Sequence, residues 1–119
     1  TLCSMMEEIS SYNDASIYYR QLIEMSPKVE NYKLYGAFSY RRLQYNDAIY
    51  SYNEALNIAT DKKDMFEINL ALGKCYYRMN ELDNAEESYR NALSYNGGDS
   101  QAREGLKQVM AKKQLIYNK

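Results

Sequence analysis

Histidine and tryptophan are absent from this chain of 119 residues, and proline, cysteine and glycine are scarce. Without histidine there is no imidazole to act as a general base, to complete a Ser or Cys triad or to supply the commonest metal ligand. No phosphate-binding loop is present either, because Gly97 and Gly98 lack the flanking Lys and Ser or Thr of a P-loop. We therefore expect no enzyme activity, no cofactor and no metal site.

Neither sign of charge dominates the chain. Lys and Arg number 15, Asp and Glu number 16, and the net charge is -1, so there is no basic block to neutralise phosphates and we expect no nucleic-acid partner. Cys3 and Cys75 both lie in helical patterns, which indicates free thiols and a reduced, cytoplasmic location. No apolar run approaches the roughly 18 residues of a membrane helix. The chain begins at Thr1 inside an apparent helix, and we expect it to be a segment of a longer protein.

A short motif occurs three times and dominates what is present. Its copies are Tyr12-Asn13-Asp14-Ala15, Tyr45-Asn46-Asp47-Ala48 and Leu82-Asp83-Asn84-Ala85. The spacing is 33 residues from Ala15 to Ala48 and 37 residues from Ala48 to Ala85, which is typical of stacked helix-turn-helix repeats. The sequence therefore predicts an all-α, right-handed α-solenoid of three helix-turn-helix pairs plus a C-terminal capping helix, forming a single domain over residues 1–119.

The predicted boundaries divide this domain into four parts. They are a partial first repeat at about 1–28, complete repeats at 29–65 and 66–99, and the capping helix at 100–117. The partial repeat keeps the end of a first helix, at Leu2, Cys3 and Met6, and a second helix that stops at Pro27. The segment from Thr60 to Asp64 is either a charged loop or an extra helical turn.

Helical spacing and capping residues define each complete repeat. We expect Asn46 and Asp83 to cap the second helices, and a new helix cap to follow Gly97 and Gly98. Small residues at Gly36 and Gly73 are expected to let paired helices approach closely. The residues with helical spacing in the first helix of the middle repeat are Tyr32, Tyr35, Gly36, Phe38 and Leu43, and the capping helix has Ala102, Leu106, Val109 and Met110 on one face.

The pattern resembles the tetratricopeptide repeat. The middle repeat matches the family at Tyr32, Tyr35, Gly36, Ala48, Tyr52 and Ala55, and the third repeat matches it at Leu72, Gly73, Tyr76, Ala85, Tyr89 and Ala92. Ser39 departs from the family pattern, because an aromatic residue is usual at its position. Asn69 and Gly97 also depart from the residues that are usual at their positions. The resemblance implies a binding scaffold whose ligand differs from member to member.

The resemblance also implies a concave groove lined by the first helices of successive pairs. The residues it singles out for partner binding are Lys33, Tyr40, Arg41, Leu70, Lys74, Tyr77 and Arg78. Other groove positions fall on Ser4, Glu7, Glu8, Glu30, Ala37, Glu67, Gln101, Glu104, Gln108 and Lys112. Stacked aromatic rings and cations fit a protein or peptide partner with acidic and apolar side chains. The alternative is that these side chains are merely solvated, with Glu30 and Glu67 neutralising the cations.

Several functions remain open at this point. The chain is an adaptor that binds a peptide segment, a small chaperone resembling those of type III secretion, or a structural solenoid segment of a larger assembly or of an enzyme's non-catalytic region. Its residues do not form the clamp with which related domains hold the C-terminal carboxylates of Hsp70 and Hsp90. Exposed apolar residues at the two ends would allow self-association: Leu2, Met5 and Met6 at one end, and Leu115, Ile116 and Tyr117 at the other.

Overall fold

The computed structural model describes the backbone of residues 2–117 and the side chains of residues 14–117. This part of the chain forms six α-helices joined by short links. Their bounds are α1 Leu2–Met25, α2 Val29–Arg41, α3 Tyr45–Ile58, α4 Lys62–Arg78, α5 Leu82–Tyr95 and α6 Ser100–Tyr117. The predicted all-α helical-repeat solenoid is confirmed.

The helices form two layers. The molecule measures 47 × 38 × 20 Å, and its thickness equals about two helix diameters of ~10 Å each. The most extensive contacts join α2 to α3 and α4 to α5, while α4 also contacts α2 and α6. The helices α2, α4 and α6 therefore lie side by side in one layer, where they can form a shared surface.

The turns within the two complete pairs have the same geometry. After α2, the N–H of Gln44 donates to the carbonyl of Ser39 at 2.9 Å and the N–H of Leu43 donates to that of Tyr40 at 3.0 Å. After α4, Glu81 and Asn80 repeat these bonds at 2.9 and 3.0 Å. Leu43 and Asn80 both have a φ of 63°, so each turn is a Schellman motif with a left-handed residue just past the helix. Leu43 was expected inside the helix, but it lies in this turn and its side chain is 71% exposed.

The predicted caps of the second helices are wrong by two residues. The Schellman turns end at Gln44 and Glu81, so these residues hold the N-cap positions and neither makes a side-chain cap bond. Asn46 and Asp83 lie within the first turns instead, and a carboxylate such as that of Asp83 is favourable there because it faces the positive end of the helix dipole.

Capping by aspartate does fix the start of α4 and α6. The segment before the third repeat forms the extra helical turn and not a loop, because α4 begins at Lys62. Asp61 caps this turn by accepting a bond from the N–H of Lys63 at 3.1 Å. At the next junction Asp99 accepts from the N–H of Ala102 at 2.9 Å, which provides the new cap expected after Gly97 and Gly98.

The first repeat departs from its predicted helix-turn-helix. Its backbone is one continuous helix of 24 residues, α1. Only a few residues precede the predicted turn, and a helix that short is costly to nucleate by itself, whereas continuing α1 keeps every backbone hydrogen bond. The predictions for Leu2, Cys3, Ser4, Met5, Met6, Glu7, Glu8 and Tyr12 concern side chains outside the described residues.

Glycines allow close helix contacts on both sides of the core tyrosines. A Cβ atom added at Gly36 would lie 2.7 Å from the ring of Tyr52, and one added at Gly73 would lie 2.9 Å from that of Tyr89. Gly105 on α6 brings a third close contact, because its Cβ would lie 2.4 Å from Tyr89. Real Cβ atoms do not approach aromatic carbons so closely, so each glycine sets a helix spacing that a larger residue would widen.

The helix α6 packs over α5 through an apolar face and an ion pair. Ala102, Gly105 and Val109 are buried, whereas Met110, expected on the same face, is exposed. The ammonium of Lys113 lies 2.7 Å from a carboxylate oxygen of Asp83 and 2.7 Å from one of Glu86. Beyond it, Leu115, Ile116 and Tyr117 are exposed as predicted.

Candidate functional site

Three neighbouring cavities cross the layer formed by α2, α4 and α6. The first has a volume of about 350 Å³ and lies between the start of α2 and α4. The middle one, about 260 Å³, lies between the end of α2 and α4. The far one, about 780 Å³, lies between α4 and α6. We refer to the three together as the groove.

Shared lining residues make the groove continuous. Ala37, Glu67 and Ala71 line both the first and the middle cavity. Tyr40 and Lys74 line both the middle and the far cavity. A bound chain could therefore cross from one cavity to the next without leaving the surface.

All seven residues singled out from the sequence lie along this groove. Lys33 lines the first cavity, Arg41 and Leu70 the middle one, and Tyr77 and Arg78 the far one, with Tyr40 and Lys74 at the junction. The structure therefore brings them together, although they come from two helices more than twenty residues apart in sequence. Gln101, Glu104 and Gln108 of α6 form the far wall.

Lys33 is already neutralised. Its ammonium lies 3.1 Å from a carboxylate oxygen of Asp64 and also contacts Glu67, and both partners are on α4. Partial burial alone would lower the pKa of Lys33, but the bonds to Glu67 and Asp64 outweigh it and the pKa is raised. Lys33 therefore joins α2 to α4 through its charge, in line with the alternative that Glu67 neutralises a groove cation, and its binding to a ligand stays a prediction.

The cations near Tyr40 have neutral partners instead. The Lys74 ammonium donates to the side-chain oxygen of Gln101 at 3.1 Å, and Nε of Arg78 donates to the Tyr40 hydroxyl at 3.4 Å. The bond to Tyr40 raises the pKa of Arg78 above its ordinary value. Arg41 is exposed and has no ion pair among the described residues. Positive charge therefore remains uncompensated where the middle and far cavities meet.

Aromatic contacts hold the two groove tyrosines in place. The ring of Tyr40 packs edge-on against that of Tyr45, with 5.6 Å between their centroids. The ammonium of Lys112 lies 5.1 Å from the centroid of the Tyr77 ring, a cation–π distance. Because both rings are fixed before any ligand arrives, less side-chain entropy is lost on binding.

Sequence reasoning missed three contributors to the groove: Tyr52, Tyr89 and Gly105. Tyr52 and Tyr89 match the repeat pattern in the sequence but were not assigned to the groove; both are buried, and both also line the cavities. Burial raises the pKa of each to about 12, so both remain neutral. Gly105 was not singled out, although it lines the far cavity beside Tyr89. Its position one repeat length after Ala71 is the signal that could have identified it.

Neither a cluster of metal-ligating side chains nor a membrane-spanning helix occurs in the part of the chain that the structure describes. Within residues 14–117, no three Cys, Asp or Glu side chains are placed to hold a metal ion. None of the helices described is both long enough and apolar enough to cross a bilayer.

Comparison with known proteins identifies the repeat. Residues 66–99 match the sequence model of a family described as the tetratricopeptide repeat. This range contains most of α4, all of α5 and the link to α6. No curated protein sequence matches the chain.

Solved structures match over almost the whole length. The crystal structure of the Sgt2 TPR domain from Aspergillus fumigatus superposes with a TM-score of 0.79 at 19% identity, covering 98% of this chain and 77% of that one. PcrH, in a crystal structure with the chaperone binding region of PopD, superposes with a TM-score of 0.69 at 18% identity, covering 94% of this chain and 88% of that one. At such identities the likeness establishes the fold.

Proposed function

Because the chain contains a tetratricopeptide repeat at residues 66–99 within the fold of a TPR domain, we propose that it is a protein-interaction module whose groove binds a peptide segment of a partner. The observation that carries this proposal is the continuous groove across α2, α4 and α6. It combines ordered tyrosine rings with uncompensated cations, a surface suited to a partner segment with acidic and apolar side chains. The same scaffold serves many partners, so the side chains of the groove rather than the fold select the ligand.

The role of a chaperone that holds a client protein is the second candidate. The similarity to PcrH favours it, since that protein is in complex with the chaperone binding region of PopD. Both candidates place a segment of another protein on the module, and neither requires catalysis.

Cys75 is a free, buried thiol, which suits the reducing cytoplasm that we propose as the location.

Site-specific photocrosslinking tests the groove directly. A photoreactive phenylalanine analogue replaces Tyr77 in the groove or, as the control, Tyr50, which is exposed on α3 outside it. Both positions keep an aromatic ring, so the fold is equally preserved. In cells that express the chain, we expect crosslinks to a partner from position 77 and none to the same partner from position 50.

A charge reversal in the groove is the second part of this crosslinking experiment. The double change Arg41→Glu and Arg78→Glu should abolish the crosslink from position 77 while circular dichroism shows unchanged helix content. Crosslinks that persist through this change, or that form only from position 50, would show that another face binds the partner. If neither position captures a protein, the structural-segment alternative becomes the better description.

A further inference from the structure

The cations of the groove differ in what they bind, and this makes the groove electrically asymmetric. Lys33 contacts two carboxylates, those of Asp64 and Glu67. Lys74 and Arg78 contact only neutral oxygens, those of Gln101 and Tyr40. Glu30 also lines the first cavity, so this cavity carries a net negative charge, whereas the positive charge of the groove is concentrated around Tyr40.

The carboxylates nearby do not remove this asymmetry. Glu67 lines the middle cavity, where it and Asp64 share the single positive charge of Lys33. Glu104 lines the far cavity from α6 and is exposed, and no ion pair joins it to another described residue. Three cations, Arg41, Lys74 and Arg78, line the cavities that Tyr40 also lines, so an anion placed beside its ring meets a net positive charge.

An apolar surface lies at a fixed distance from this positive centre. Leu34 and Ala37 of α2 face Ala71 of α4 in the first cavity, and Leu70 continues the surface in the middle one. The side chain of Leu34 is 45% exposed. Leu34 and Arg41 are seven residues apart on α2, which corresponds to about 10 Å along the helix axis. An extended peptide covers that distance in about three residues.

We propose that the groove recognises an extended segment of a partner protein with one carboxylate side chain beside Tyr40 and one apolar side chain about three positions away, in the cavity lined by Leu34. Arg41, Lys74 and Arg78 surround the carboxylate, and Lys33 takes no part in binding. This inference rests on the proposed function and adds to it the chemistry of the ligand and its register. The charge complementarity of the middle of the groove selects an acidic segment over a basic or wholly apolar one.

Selection from a library of random peptides tests the register. A length of about ten residues is sufficient, because two helix spacings of roughly 10 Å correspond to about six extended residues. We expect the peptides enriched on the purified chain to share one Asp or Glu, with an apolar residue about three positions to one side.

Double-mutant cycles then assign the carboxylate to its partners. Replacing the shared acidic residue by Ala should weaken binding to the parent chain about tenfold, measured by fluorescence anisotropy, since a bond to a charged group has roughly that value. On Arg78→Gln or Lys74→Gln the same replacement should weaken binding less than it does on the parent chain, because one of the three cations that attract the carboxylate is already missing. On the matched control Lys33→Gln, replacing the acidic residue of the peptide by Ala should still weaken binding about tenfold.

The possible outcomes distinguish a failure of the proposed register from a failure of peptide binding in the groove. Enriched peptides that lack an acidic residue, but lose binding to Tyr40→Ala, would show that the groove binds peptides and that the proposed register is wrong. Coupling of the acidic residue to Lys33 instead of Lys74 and Arg78 would also overturn the register. Two outcomes would refute peptide binding in the groove itself. One is that neither Tyr40→Ala nor Arg78→Gln affects binding of the enriched peptides, and the other is that no peptide is enriched.

Discussion

Gly105 offers the sharpest test of how α6 is held. The ring of Tyr89 contacts α4 at Gly73 and α6 at Gly105, and it is 4% exposed. A Cβ atom at position 105 would lie 2.4 Å from two ring carbons, and the ring cannot move toward α4, where a Cβ at Gly73 would already be at 2.9 Å. The change Gly105→Ala therefore has to push α6 away from α5.

The expected magnitude is the difference between two effects. Overpacking a rigid core by one methyl group costs up to about 3 kcal/mol. Alanine in place of glycine within a helix increases the stability of the helix by about 1 kcal/mol. The net loss of about 2 kcal/mol corresponds to a fall in Tm of roughly 8 °C for a chain of this size.

Thermal and urea unfolding followed by circular dichroism measure this loss. Gly98→Ala is the matched control, because a Cβ there would come no closer than 3.9 Å to its neighbour, and we expect it to change stability by less than about 0.5 kcal/mol. A second change, Tyr89→Leu, removes the clashing ring, so Gly105→Ala should cost much less in that background. If Gly105→Ala is as stable as the parent chain, then α6 does not pack on Tyr89 as closely as described.

Three further predictions follow from the packing and the turns. Leu43→Gly should raise the free energy of unfolding by about 0.5–1 kcal/mol in urea titrations, because it removes left-handed strain at an exposed position; a loss of stability would contradict the Schellman geometry. Ser39→Ala should stabilise the fold by about 1 kcal/mol in the same assay, because the buried hydroxyl has no hydrogen-bond partner in the described part of the chain; destabilisation would indicate a bond that we have not seen. Burial raises the pKa of Tyr52, Tyr89 and Cys75 to about 12 each. All three are neutral when protonated, so their stabilisation is complete below their unfolded pKa values and is lost as pH rises from about 9 to 12. Tm measured over this range should fall less steeply for Tyr89→Phe, and an unchanged slope would exclude this ring as a cause.

The repeated sequence pattern determined the fold because it is local and periodic. Alanines and tyrosines at helical spacing specify which helix faces are buried, and Ala48, Tyr52, Ala85 and Tyr89 are buried as that spacing requires. The same periodicity assigned groove positions to α2 and α4, since residues on one face of a helix share one surface. These inferences needed only the sequence and the dimensions of an α-helix.

Tertiary structure decided which groove charges are available. Lys33 and Lys74 were both assigned to the groove from the sequence, yet Lys33 meets Asp64 and Glu67 whereas Lys74 meets Gln101. The difference arises because the extra turn of α4 places Asp64 beside α2. Whether that segment was helix or loop could not be read from its charged residues alone.

The sequence by itself determined the class of fold and the helix faces, since these follow from periodicities that neighbouring residues impose on the backbone. Only the tertiary structure decided that Gly105 brings α6 against Tyr89 and that Lys33 is neutralised. Each of these depends on distances between side chains far apart in sequence. Such distances are fixed by the packing of whole helices, which no local pattern encodes.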